Sequence, residues 1–221
     1  VEATSCLSNY ATSLHWKYQN ELTGPHLSAQ LLLELQLGDC TSIADFGCYM
    51  LRSVGIPAGL VTSLWSPVRY VAHVWTEVFD TIGFSIPFIV GARKLKRGEQ
   101  FGYRQGKVYR HTYALQKERL DAVLQNKKFR IALANICLKD VSSLYFPSNE
   151  IMVDCELIKD RKEGHSVWVA IFNRRGWFPI GEGRYKEGKA IFNDIEEGLI
   201  YMTLYAQDGK LKEASFPFKI D

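Results

Sequence analysis

No stretch of this sequence is long and apolar enough to span a bilayer; the longest apolar run, near Ile86–Gly91, has the length of a strand. There is no CxxC pair, no HExxH and no pair of histidines at ligand spacing. The five cysteines (Cys6, Cys40, Cys48, Cys137 and Cys155) and the five histidines (His15, His26, His73, His111 and His165) are scattered. This argues against a zinc ribbon, a disulfide framework and a metal centre. No metal and no other cofactor is expected. Blocks of like charge are missing too. A net charge of +3 over 221 residues, with a pI near 8.5, is too mild to argue for nucleic acid or an anionic membrane. No internal repeat, low-complexity tract or leader peptide is visible. A chain that opens Val1-Glu2 without Met is expected to be a mature or trimmed form. What is present is 47% hydrophobic residues, enough core for one large or two small domains.

The texture changes near residue 128. Before it, Ser28–Leu37 reads as a helix and Thr41–Ser53 as a stronger one, its apolar positions including Ile43, Phe46, Met50 and Leu51. Gly55 suits a helix C-terminus and Pro57 prevents continuation. Ala58–Leu64, His73–Phe79 and Phe84–Val90 read as strands. Alternation puts Val74, Thr76 and Val78 on one face, and His73, Trp75, Glu77 and Phe79 on the other. Tyr113–Lys128 reads as an amphipathic helix whose basic end suits the dipole. After Phe129 the pattern is β throughout. Strands are expected at Arg130–Lys139, Ile151–Ile158, Val167–Asn173, Phe178–Ile180, Ala190–Phe192, Leu199–Ala206 and Phe216–Ile220. Turn signals stand at Arg175-Gly176, Glu187-Gly188, Glu197-Gly198 and Asp208-Gly209. Such spacing points to an antiparallel sandwich.

Two cysteines fall in the segment GDCTSIADFGCYMLRSVGIP. Cys40 stands at the start of a helix, where the macrodipole and unpaired backbone N–H groups favour a thiolate and can hold an oxyanion. Cys48, inside the same helix, reads as core. His73 follows at the start of a strand in AHVWTEVFD, and a nucleophile on a helix end with a base on a strand is the Cys–His arrangement. Either residue alone reads more readily as structural, the cysteine as an ordinary helix-start residue and the histidine as a satisfied core residue; their order and context carry the reading.

These residues, GDCTSIADFGCYMLRSVGIPAGLV and HVWTEVFD, resemble the transglutaminase-like superfamily of papain-like thiol enzymes. The resemblance covers roughly residues 30–92, with Cys40, Arg52, Gly55-Ile56-Pro57, His73 and Trp75 in register. It implies Cys40 as nucleophile and His73 as general base. It also implies a papain/transglutaminase-like α+β domain over residues 1–127. The remainder, 128–221, resembles more loosely the all-β Ig-like sandwich that follows such domains in secreted bacterial proteins. Expected from the resemblance are action on amide or peptide bonds, a peptide, protein or cell-wall/glycan substrate, and an extracytoplasmic setting in periplasm or at a cell surface. A catalytically silent peptide- or glycan-binding module and a structural or interaction protein are the alternatives.

The family places an Asp on the strand after the histidine strand to orient the imidazole. With Phe79 paired to Phe84, His73 falls opposite Val90, among residues without a carboxylate or amide. Glu77 lies about 13 Å and Asp80 about 23 Å along the strand from His73. Asp39 and Asp45 are the remaining candidates for a remote acid. Trp75 reads as core, Trp65 and Tyr70 as a possible cleft wall, and Trp168 and Trp177 as packing or exposed strand residues. The loop Leu64–Ala72 is expected to shape substrate entry. Cys155, alternating with Val153 and Leu157, reads as a buried apolar thiol.

Overall fold

The computed structural model describes residues 2–19, 27–66, 71–81, 85–90, 103–117, 132–159 and 166–221. The chain divides into two compact units, residues 1–62 with 73–100, and residues 63–72 with 101–221.

In the first unit, α1 (Glu2–Ser13) leads to β1 (Lys17–Tyr18), α2 (Ala29–Leu35), β2 (Leu37–Gly38) and α3 (Cys40–Ser53). Ser28 caps α2 by accepting from the Leu31 N–H, and Gln36 closes it in the left-handed region at φ 49°. The short strands β1 and β2 run parallel, Lys17 beside Leu37 and Tyr18 beside Gly38. Asp39 caps α3, its carboxylate accepting from the Ser42 N–H at 2.8 Å. At the other end Gly55 adopts φ 78°. The Ile56 N–H donates to the Leu51 carbonyl and the Gly55 N–H to that of Arg52, both at 3.0 Å. This is the glycine-dependent Schellman closure. The Arg52 guanidinium turns back onto the Ala58 carbonyl and so fixes the entry of the next strand.

That strand is β3 (Ala58–Ser66), followed by β4 (Val71–Phe79) and β5 (Ser85–Phe88), with β4 between the other two. The helix α3 lies on the sheet through Cys48, Leu51, Ala58, Val78, Ile86 and Phe88. β4 and β5 pair antiparallel from Phe79↔Ser85 to Thr76↔Phe88. The expected pairing of Phe79 with Phe84 is therefore off by one residue. The observed register puts Ile86 and Phe88 on the helix-facing side with Val78 and Thr76, where they are buried; a one-residue slip would carry them to the other face. It also moves the position opposite His73 to residue 91, outside the described residues.

The second unit adds β6 (Tyr109–His111), β7 (Leu138–Asp140), β8 (Glu150–Asp154), β9 (Ser166–Asn173), β10 (Gly176–Lys186), β11 (Lys189–Asn193), β12 (Ile200–Gln207), β13 (Lys210–Glu213) and β14 (Phe218–Lys219). β6 and β7 form an antiparallel pair. The strands from β8 on form one seven-stranded sheet in the order β13-β12-β9-β10-β11-β8, with β14 on β12. A bulge between Pro179 and Gly181 bends β10. Val167, Val169 and Ile171 of β9 share one core with Phe192 of β11 and Tyr201 of β12. Two hairpins turn through Glu187-Gly188 (φ 51° and 80°) and Asp208-Gly209 (φ 52° and 74°), the paired positive φ values of a type I′ turn. The expected β-rich second part is therefore present. Its seven-stranded antiparallel sheet carries one core on the face of Val167, Val169 and Ile171, and smaller clusters around Trp168 and around Ala170, Met202 and Leu204.

Several local expectations change. Arg130–Lys139 is not one strand: residues Ala132–Ala134 form a 3-10 turn and only Leu138–Asp140 is extended. The cause is Asn135, whose side chain accepts from the Cys137 N–H at 2.9 Å and turns the chain. Tyr113–Gln116 is not helical, and residues 118–131 lie outside the described set. β3 runs to Ser66 and β4 begins at Val71, so less of Leu64–Ala72 is loop than expected. Trp65 packs on Phe178 with ring centroids 5.8 Å apart, against the β-rich core, so it is not a cleft wall; Tyr70 lies outside the described residues. Trp75 and Trp168 are buried as expected, and Trp177 meets Phe172 edge-on. Cys155 is buried beside Val153 and Ile158, whereas Leu157 turns out to solvent. Among the described residues, no helix is long and apolar enough to cross a membrane.

The segment before residue 128 is tied into this unit. The Tyr109 hydroxyl donates to the Ile180 carbonyl at 2.7 Å, the Gly106 N–H to Glu196 at 2.8 Å, and the buried Lys107 ammonium to the Asn193 carbonyl at 2.8 Å. A fragment of residues 128–221 leaves all three acceptors without partners, at about 1–3 kcal/mol each for buried groups. Such a fragment is expected to melt well below residues 101–221, or to stay unfolded, when both are followed by thermal circular dichroism. Equal melting temperatures would show these ties to be immaterial.

Candidate active site

Cys40 is the first residue of α3, directly after the capping Asp39, and is half-buried. The cap takes the Ser42 N–H, and the Ile43 N–H donates to the Asp39 carbonyl at 3.0 Å. The N–H groups of Cys40 and Thr41 are the first-turn donors left over, pointing along the axis as the open end of any helix does.

Below this turn the helix meets β4 at close quarters. The Thr76 hydroxyl donates to the Ala44 carbonyl at 2.7 Å. A Cβ on Gly47 would sit 2.6 Å from that hydroxyl oxygen, so only glycine lets helix and strand approach this far. The contact ties the first half of α3 to the middle of β4.

There a cavity of about 370 Å³ opens, and both Cys40 and His73 line it. The described β4–β5 pairing runs from Phe79↔Ser85 to Thr76↔Phe88, and His73, Val74 and Trp75, just before it on β4, line the cavity. His73 stacks on Trp75 at 5.6 Å between ring centroids, as two side chains on one face should. Its carbonyl accepts from the Thr62 hydroxyl at 3.1 Å, which anchors the backbone under the imidazole.

The other walls come from the end of α1 and the segment after it. Trp16, packed on Phe46 with the rings tilted and their centroids 4.8 Å apart, His15 and Tyr18 all reach the cavity. His15 holds a left-handed backbone at φ 53°. None of the three was singled out in the sequence, because a helix exit of this kind carries no motif.

None of the cavity-lining residues among those described is a carboxylate or a side-chain amide. Asp39 is engaged at its cap, Asp45 lies near the Cys48 thiol, and Glu77 is fully buried and receives the Ser85 hydroxyl. Among the described residues, no group of three or more potential ligands could hold a metal ion.

The remaining thiols differ in setting. Burial pushes the Cys48 thiol up from about 9 to about 11, against a smaller opposing pull from Arg52. Burial likewise pushes Cys155 to about 11. Both titrate later in the folded chain than in the unfolded one. Above pH 9 the unfolded chain sheds protons that the folded chain keeps, so stability falls as pH rises from 9 towards 11. Chemical denaturation at pH 7.5, 9 and 10.5 should show this decline, reduced in a Cys48→Ala, Cys155→Ala double variant. A decline of the same size in that variant would place its origin elsewhere.

The Transglutaminase-like superfamily model matches residues 1–86, a span containing Cys40, the whole of α3 and His73. To that extent the resemblance read from the sequence is borne out. No curated protein matches the chain.

Proposed function

We propose that the first unit is a thiol-dependent hydrolase or acyltransferase acting on amide or peptide bonds. The observation that carries this reading is the opening of Cys40, at the first turn of α3, and His73 onto one cavity. Cys40 sulfur attacks the substrate carbonyl and His73 takes the thiol proton. The Cys40 and Thr41 N–H groups face the developing oxyanion. The carbon–nitrogen bond breaks as His73 returns the proton to the leaving amine, which leaves a thioester on Cys40. Water, or a second amine, then attacks that thioester with His73 as base. The product is a carboxylic acid in the first case and a new amide in the second.

A second reading is a silent peptide- or glycan-binding module, favoured by the lack of a carboxylate or amide in the cavity wall to orient His73. We further propose, on the family resemblance alone, a setting outside the cytoplasm of a bacterium, in the periplasm or at the cell surface. The β-rich part, which we read as an Ig-like sandwich on the looser resemblance of its sequence, would serve as an appendage that engages the substrate or a partner.

Alkylation by iodoacetamide at pH 7, mapped residue by residue, separates the readings. The exposed Cys6 is the reference within the same molecule. Cys40 reacting at least tenfold faster than Cys6 supports the enzyme. Reaction no faster than Cys6 supports the binding module.

A further inference from the structure

The geometry points to a specificity pocket for one uncharged, apolar side chain of a peptide substrate, beside Cys40; in calling the peptide a substrate it rests on the proposed function. Ile43, Val74, Trp75, Phe88 and Val90 form much of the cavity wall, and no Asp, Glu, Lys or Arg stands among its described lining residues. A charged side chain entering it would lose its water and meet no counter-charge. A carboxamide finds few partners. The Thr76 and Thr12 hydroxyls are committed to the Ala44 and Ser8 carbonyls and the imidazole of His73 is needed for the thiol. This leaves the Trp16 indole N–H, His15 and Tyr18 as the polar groups of an otherwise apolar wall. An apolar group gives up no polar hydration on entry and gains the buried area, which offsets its loss of rotamer freedom.

Size agrees. A cavity of about 150 Å³ holds a benzene. The about 370 Å³ found here admits an aromatic or branched aliphatic side chain together with the peptide group that carries it. Cys40 at the wall then faces the carbonyl attached to that side chain. The substrate class is a peptide with Phe, Leu or a similar residue on the acyl side of the bond, in preference to Gln, Asp or Lys.

The test is binding to the full chain, read by the ¹⁵N-labelled indole signals of Trp16 and Trp75, which line the cavity. The probes are N-acetyl-L-phenylalaninamide and its glutamine and aspartic acid counterparts. The phenylalanine probe should shift both indole signals and bind at least tenfold tighter than the other two. Ile89→Lys, at a cavity position that is 40% exposed, should weaken the phenylalanine probe and favour the aspartic acid probe. Equal affinities for the three probes, or no indole shift with the phenylalanine probe, overturns the proposal. This readout needs no thiol chemistry. Apolar-selective binding with a sluggish Cys40 would remove the enzymatic reading and leave the pocket standing. A fast Cys40 without apolar selectivity would remove the pocket alone.

Discussion

His73→Ala is expected to slow acylation of Cys40 by about 10²- to 10⁴-fold, the range for loss of a positioned acid–base group. The expectation follows from the cavity. Cys40 and His73 line it together, and no other described lining residue is a carboxylate that could take the proton in its place. His15 lines it as well, which makes His15→Ala the informative companion. If His73 is the base, His15→Ala leaves the rate within a few-fold. A large loss in His15→Ala with little in His73→Ala would reassign the base. The fold provides a control, because the Thr62 hydroxyl bonds the backbone carbonyl of His73 and not its ring. His73→Ala therefore keeps this anchor and should lose only what the ring's stacking on Trp75 contributes, about 0.5–1.5 kcal/mol.

The second large effect concerns Gly47. Replacing an interior helical glycine by alanine ordinarily gains about 1 kcal/mol. Here the new methyl would lie 2.6 Å from the Thr76 hydroxyl, 3.2 Å from Val90 and 3.3 Å from Phe88. The hydroxyl is held by Ala44 at 2.7 Å on a fully buried residue, so it moves only by giving up that bond. Overpacking costs about 1–3 kcal/mol and the lost hydrogen bond about 0.5–1.5. These outweigh the propensity gain, and Gly47→Ala should destabilise the chain by about 1–3 kcal/mol in urea unfolding. Adding Thr76→Ala removes the atom in conflict, so the double variant should cost less than the sum of the two singles. Strict additivity, or a stabilised Gly47→Ala, would show that helix and strand part freely at this point.

What the sequence made legible was mostly local. The limits of α3 follow from Asp39 before it and Gly55-Ile56-Pro57 after it, because caps and breakers act over one turn. The turns at Glu187-Gly188 and Asp208-Gly209 were legible as turns for the same reason, their type I′ geometry following from two successive positive φ values in the structure. The β4–β5 register was not, since it depends on which face of β5 is buried beneath α3, a tertiary choice that puts Ile86 and Phe88 on the helix side. Trp65 was misplaced because alternation along β3 does not say which core a side chain will join. At the candidate site, Cys40 and His73 stood out through their motifs. His15, Trp16 and Tyr18 did not, because they reach the cavity by the path of the chain after α1 and through no residue pattern of their own.

The central claim is that Cys40 carries an acyl group in turnover. Mixing the chain with p-nitrophenyl acetate at pH 7.5 tests it directly, with nitrophenolate release followed by stopped flow and the quenched protein mapped by mass spectrometry. A burst of about one equivalent is expected, with an acetyl group on Cys40, both lost in Cys40→Ala. No burst, or acetyl groups found on the exposed Cys6 as readily as on Cys40, would contradict it.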